Sequence, residues 1–171
     1  MQRAILNCSF LLNIKEFNKI IYDEKIINIL KKYFGKKPFL KKIDIFHSEN
    51  YEEDNNVMKK QKWHVDEPKL QIKENKKFIK LFIPLCDVNK INGATKIIKG
   101  SRENLPKSIN FSKLMGKRFE DNFIKSYYDK KDIISLNSSF GEIFLARTDG
   151  FHKGGFVKKG FRTIIIVEYN C

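Results

Sequence analysis

Arginine is scarce in a chain that is otherwise strongly basic. Only five of its 34 basic residues are arginine, at positions 3, 102, 118, 147 and 162, so a formal charge of +14 rests almost wholly on lysine. Basic surfaces gather phosphates, yet base and phosphate readout lean on the planar guanidinium fork. The lysines are spread along the whole chain without a block of five or six like charges, so nucleic acid is not an expected partner. Cysteine is also sparse. Cys8, Cys86 and Cys171 are an odd number without ligand spacing, which excludes a disulfide framework and a thiolate metal site and fits a reducing compartment, the cytoplasm. Long apolar runs are missing: "TIIIV" at 163–167 is too short to span a bilayer. The first residues carry one arginine and no clean small-residue cleavage site, so a signal peptide is not expected.

What is present is a packable chain. Its 171 residues are 42% hydrophobic with 15 phenylalanines, enough for one compact domain over 1–171. No internal repeat or linker divides it. Residues 14–34 place apolar side chains at helical spacing, with a break near Asp23 and a stop at Gly35. "FLKKIDIF" then reads as a strand, and the polar stretch 47–61 as a mobile loop. "FIKLFIPL" at 78–85 reads as a buried strand with Pro84 at an end or bulge. Asn92-Gly93 and Gly100 are turns around a short strand. Residues 102–132 are irregular with a short helix or two. "DIISL", "GEIFLAR", "FHKGG" and "FRTIIIVEY" follow as strands. The expected fold is mainly β, a barrel or sandwich with helix packed outside.

Within this pattern "QKWHVDEP" at 61–68 places His64 and Asp66 two positions apart behind the only tryptophan. On an extended strand such a pair shares one face. A His-x-Asp arises by accident in roughly one chain in six of this composition, so the pair alone is weak. A third ligand would change that, and His152, at a strand start before Gly154-Gly155, is the candidate. Two imidazoles and a carboxylate leave half an octahedron open, the donor set of non-haem iron(II) oxygenases, and zinc enzymes use a similar set. Arg162, on the last apolar strand, suits a bidentate grip on a carboxylate. His47 reads as structural, Trp63 as core, and Asp149 and Phe151 as residues that touch substrate or shape the turn before His152. Cys86 reads as a buried small hydrophobe and Cys171 as exposed.

The ordered motifs "QKWHVD", "FIKLFIPLCDVNKINGATKIIKGSRE" and "GEIFLARTDGFHKGG", followed by Arg162, resemble the phytanoyl-CoA dioxygenase family of Fe(II)/2-oxoglutarate oxygenases over roughly residues 40–170. The resemblance implies a double-stranded β-helix (jelly-roll, cupin-like) with one or two N-terminal helices outside. It implies Fe(II), 2-oxoglutarate and O₂ as cofactors, and a small-molecule substrate that is hydroxylated with release of succinate and CO₂. His64, Asp66 and His152 would be the metal ligands and Arg162 the 2-oxoglutarate anchor. Retention of Asp66, which related halogenases replace by a small residue, favours hydroxylation. There are departures. Lys99 and Arg102 replace the family's usual proline and histidine in a structural turn. Gly154 stands where many members have a serine that helps to hold the co-substrate, so a second anchor must come from elsewhere, with Lys80 as the candidate. Three alternatives stay open: a zinc-type enzyme on the same ligands, a non-catalytic binding module, and an oxygenase acting on nucleic acid. Substrate contacts are expected from loops 47–61 and 102–132.

Overall fold

The helical period that starts after Ile14 is interrupted where an aspartate serves better as a cap than as a helix residue. The Asp23 carboxylate accepts the backbone N–H groups of Lys25 and Ile26 at 2.9 and 3.3 Å, so α1 (Lys15–Ile21) ends and α2 (Glu24–Phe34) begins around it. Gly35 then terminates α2 at φ 74°, a conformation costly for a side chain with a Cβ. The break and the stop agree with the sequence pattern.

The computed structural model describes residues 2–50, 61–66, 77–107, 109, 114 and 117–171. Eight strands are present among the described residues: β1 (Gln2–Asn7), β2 (Phe39–Glu49), β3 (Phe78–Pro84), β4 (Thr95–Ile98), β5 (Ile133–Leu136), β6 (Phe144–Ala146), β7 (His152–Lys153) and β8 (Phe161–Asn170). A short helix, α3 (Asp121–Lys125), precedes β5. The larger sheet runs β1-β2-β8-β3-β6 and the smaller β5-β4-β7, with every pairing antiparallel.

Side-chain alternation decides what each face of the larger sheet meets. Ile79, Leu81 and Ile83 of β3 and Ile165, Val167 and Tyr169 of β8 point outward onto Phe17, Ile21, Ile26, Leu30 and Phe34 of the two helices. That contact forms the main apolar core, and the Tyr169 hydroxyl closes it by donating to the Ile21 carbonyl at 2.6 Å. The intervening residues, Lys80 and Phe82 of β3 and Arg162, Ile164 and Ile166 of β8, face the opposite way into a cavity. Thr95 of β4 and His152 of β7 close that cavity from the smaller sheet. Two antiparallel sheets facing one another across a central cavity, with helices on the outside, is the mainly β architecture that a double-stranded β-helix requires.

Four local readings are corrected. Residues 2–7 form an edge strand where no strand was expected, because Gln2–Asn7 pairs in register with Asp44–Glu49 of β2. That pairing carries β2 on to Glu49, past the start of the expected loop at 47; residues 51–60 of that loop lie outside the described residues. Trp63 and His64 sit in isolated bridges to Phe119 and His152 in place of a regular strand. Cys86 and Cys171 are both half-buried.

Candidate metal centre

His64 and His152 are joined through their backbones. Each donates its N–H to the other's carbonyl at 3.0 Å, and this antiparallel bridge brings the two rings to a centroid distance of 4.3 Å. Asp66 donates its N–H to the Thr148 carbonyl at 3.0 Å, which aims its carboxylate at the same point. Asp66 Oδ1 lies 3.7 Å from His64 Nε2, and Oδ2 lies 3.3 Å from His152 Nε2. Taking one ligand atom per residue, all three lie within 4.8 Å of one another. The sequence-predicted triad is therefore assembled.

The tautomers suit a cation. His64 Nδ1 sits 3.1 Å from the Lys62 carbonyl and His152 Nδ1 3.1 Å from the Gly150 carbonyl. A carbonyl accepts only from an N–H, so each Nδ1 carries a proton and each Nε2 faces the carboxylate. Burial, reinforced by the neighbouring His152, pulls the His64 imidazole down to about 3, which keeps it neutral. Burial pushes the Asp66 carboxyl up, but the hydrogen-bonded His152 and the Lys80 ammonium outweigh it and hold it well below the usual carboxylate range. A neutral imidazole and an ionised carboxylate are the protonation states in which these groups coordinate metal.

The cavity holding the triad measures about 270 Å³ and also contains Gln61, Thr95, Arg118, Thr148, Gly154 and Arg162. Arg162 is buried, and its Nη1 donates to the Gly93 carbonyl in the Asn92-Gly93 turn. It lies on the cavity face of β8, while Glu168 of the same strand takes Lys41 at 2.9 Å. Lys80 reaches the cavity too, but its ammonium sits 2.5 Å from Asp66 Oδ2 and 3.9 Å from Glu168 Oε2. It balances the ligand carboxylate.

The remaining candidates lie outside this group. His47 bonds Thr163 at 2.8 Å on the other face of the strand pair. Trp63 is buried and donates to Asp121 at 2.7 Å. Phe151 is core, while Asp149 takes the fork of Arg147 at 3.0 and 2.8 Å; both shape the turn before His152. Gln61, Thr95, Arg118 and Thr148 are cavity residues that sequence reasoning passed over, although "QKWHVD" begins with the first of them.

A sequence model described as phytanoyl-CoA dioxygenase (PhyH) matches residues 13–159. The chain belongs to the phytanoyl-CoA dioxygenase family. No curated protein matches it in sequence. Among solved structures, this family member is similar to EctD from S. alaskensis, with TM-score 0.68 and 11% identity over 99% of this chain and 57% of that one. It is similar to the epimerase SnoN of nogalamycin biosynthesis, solved with Fe3+, alpha ketoglutarate and nogalamycin RO, with TM-score 0.64 and 11% identity over 98% and 62%. The alpha ketoglutarate dependent carbocyclase SnoK gives TM-score 0.66 and 14% identity over 98% and 62%. At such identities the likeness is one of fold. The chain spans about three-fifths of the length of these structures.

Proposed function

We propose that the chain is an Fe(II)- and 2-oxoglutarate-dependent dioxygenase that hydroxylates a small-molecule substrate, with residues 1–171 acting as one oxygenase-like domain. The observation that carries this reading is the convergence of His64, Asp66, His152 and Arg162 on one cavity. His64 and His152 would hold the metal through Nε2 and Asp66 through a carboxylate oxygen. Such a donor set would hold a metal through three protein ligands and would leave room on it for ligands that are not protein. Arg162 would take the far carboxylate of 2-oxoglutarate with its guanidinium, in a water-poor setting that strengthens the pair. When bound, iron and 2-oxoglutarate supply the oxidising chemistry, consuming O₂ and releasing succinate and CO₂ as a substrate C–H bond is hydroxylated. The chain's own contribution is to fix both imidazole tautomers, to keep Asp66 ionised and to orient the co-substrate. The neighbours' printed activities, an epimerase and a carbocyclase, support the cofactor pair in this fold and differ in what happens to the substrate.

The test is an anaerobic titration of the Fe(II)-loaded protein with 2-oxoglutarate, read by the visible charge-transfer band of a chelated 2-oxo acid. The band is expected with the wild type and absent with His152→Ala. With Arg162→Ala it should need much more 2-oxoglutarate to saturate. No band at saturating iron and co-substrate sinks the reading. Zinc-type hydrolysis on the same ligands would then come forward.

A further inference from the structure

The smaller sheet turns one face to the ligand triad and the other away from it. Thr95 and His152 look into the triad cavity, so alternation sends Lys96 and Lys153 to the opposite face. These two lysines are registered partners on β4 and β7. Like charges directly opposite one another destabilise a strand pair. Asp121 of α3 offsets the repulsion, because it takes the Lys153 ammonium and also feels the Lys96 charge.

A groove runs between this face and α3 in two parts, of about 540 and 640 Å³, which share Lys90, Lys96, Asp121 and Lys153. Lys158 lines the first part, and Lys125 and Lys130 line the second. Lysine is about twice as frequent along the groove as in the chain as a whole. The even spread of charge along the sequence is therefore not an even spread over the surface. Both acids that line the groove are engaged, Asp121 with Lys153 and Trp63, and Asp129 with Lys131 at 3.3 Å. Lys90, Lys96, Lys125, Lys130 and Lys158 form no ion pair among the described residues. With the triad cavity the groove shares only Gln61 and Gly154. The Gln61 amide fills the space that a Cβ on Gly154 would take, and it stands as the wall between the two.

So many ammonium groups around one groove suit a ligand with several negative charges. No arginine lines it among the described residues. The planar guanidinium fork is what matches a carboxylate, whereas an ammonium is a point charge that meets a tetrahedral phosphate from any side. A nucleic-acid strand would need open aromatic faces for its bases. Trp63 offers none, being 2% exposed with the Lys153 ammonium 5.0 Å from its ring centre.

We infer that the groove between α3 and the smaller sheet binds a small molecule carrying two or more phosphate groups. The site backs on to the triad cavity but is separate from it. It does not depend on the oxygenase reading, since neither metal nor co-substrate enters it.

The experiment is calorimetric titration of inorganic tripolyphosphate into the metal-free full chain. It is done in about 0.1 M salt, where charges more than about 10 Å apart are screened. Saturable one-site binding is expected. Lys90→Gln/Lys96→Gln removes two charges common to both parts of the groove and should raise the Kd roughly tenfold or more. Lys19→Gln/Lys32→Gln removes two exposed charges from the helices and should leave the Kd within about twofold. Amide NMR shifts on binding should fall on residues 90–96 and 121–130 and spare α1 and α2. An absence of binding overturns the inference, and so does an equal loss in the two double variants, which would reduce the effect to diffuse charge. A glutamate-rich peptide of matched charge that binds as tightly overturns the choice of phosphate. A single-stranded oligonucleotide that binds more tightly, through the same lysines, overturns the small ligand and makes the groove a nucleic-acid surface.

Discussion

From Ile164 to Asn170 both faces of β8 are largely buried, and they do opposite things. Outward, Ile165, Val167 and Tyr169 meet α1 and α2 in an apolar core. Inward, Arg162, Glu168 and Asn170 are as inaccessible as their apolar neighbours, yet they are polar or charged. Burying a charge or an amide costs free energy unless a partner compensates it. A strand that tolerates this on one side alone has its stability supplied by the other. The helices stabilise the sheet; the cavity uses that stability to hold groups in arrangements they would not adopt in water.

This division can be broken most severely from the outer face. Val167→Asp places an unpaired carboxylate against the helices, where the penalty is roughly 3–5 kcal/mol. That is a large share of a domain's usual stability. Little or no folded protein is expected by circular dichroism, and a soluble variant of near-native melting temperature would refute the two-face account. Leu30→Ala, at a fully buried site of α2, should cost about 2–5 kcal/mol in urea unfolding. Below the transition it should leave Mn(II) affinity unaltered. A matching drop in metal affinity would mean that the faces are not independent.

From the inner face the expected pattern inverts. His152→Ala should lower Mn(II) affinity by more than about 100-fold, beyond what loss of an outer-sphere partner does. Its effect on urea unfolding of the metal-free protein should be smaller than that of Leu30→Ala. The smallest effect belongs to the rim. Asp121 accepts from Trp63, next to His64, and from Lys153, next to His152. Burial pushes its carboxyl up, but Lys153 and Trp63 outweigh that and hold it below its ordinary value. A carboxylate with a depressed folded-state pKa contributes stability that is present above its unfolded value, near 4, and is lost as pH falls through the folded one. Asp121→Asn should therefore flatten the acid limb of the stability–pH curve below about pH 4. The change should stay under about 1 kcal/mol because the group is largely solvated. An unchanged acid limb would remove Asp121 from the account.

What the sequence could disclose follows the same division. The outer face was legible because helix caps and apolar periods are local: Asp23, Gly35 and the run from Phe161 each announce themselves within a few residues. The ligand triad and Arg162 were legible as residue types in an order shared with a family, and the fold brings those four residues to one cavity. Three features were not. Residues 2–7 lack alternation because β1 is an edge strand, with Leu6 exposed. The Lys80 ammonium was expected on the co-substrate, but the register Lys80↔Glu168 sets it beside Glu168, and the turn at Asp66 brings the ligand carboxylate onto it. Gln61 meets Gly154 only because the His64–His152 bridge lays residues 61–64 alongside 152–154. No spacing within either segment encodes that encounter.

That bridge also bears on how the protein comes into being. A single rung of hydrogen bonds between distant parts of the chain creates the donor set, so until that long loop has closed there is nothing for a metal to find. In a refolding experiment, metal uptake would mark the moment at which residues 61–66 dock against β7. The ion would arrive as a witness to folding and not as its template.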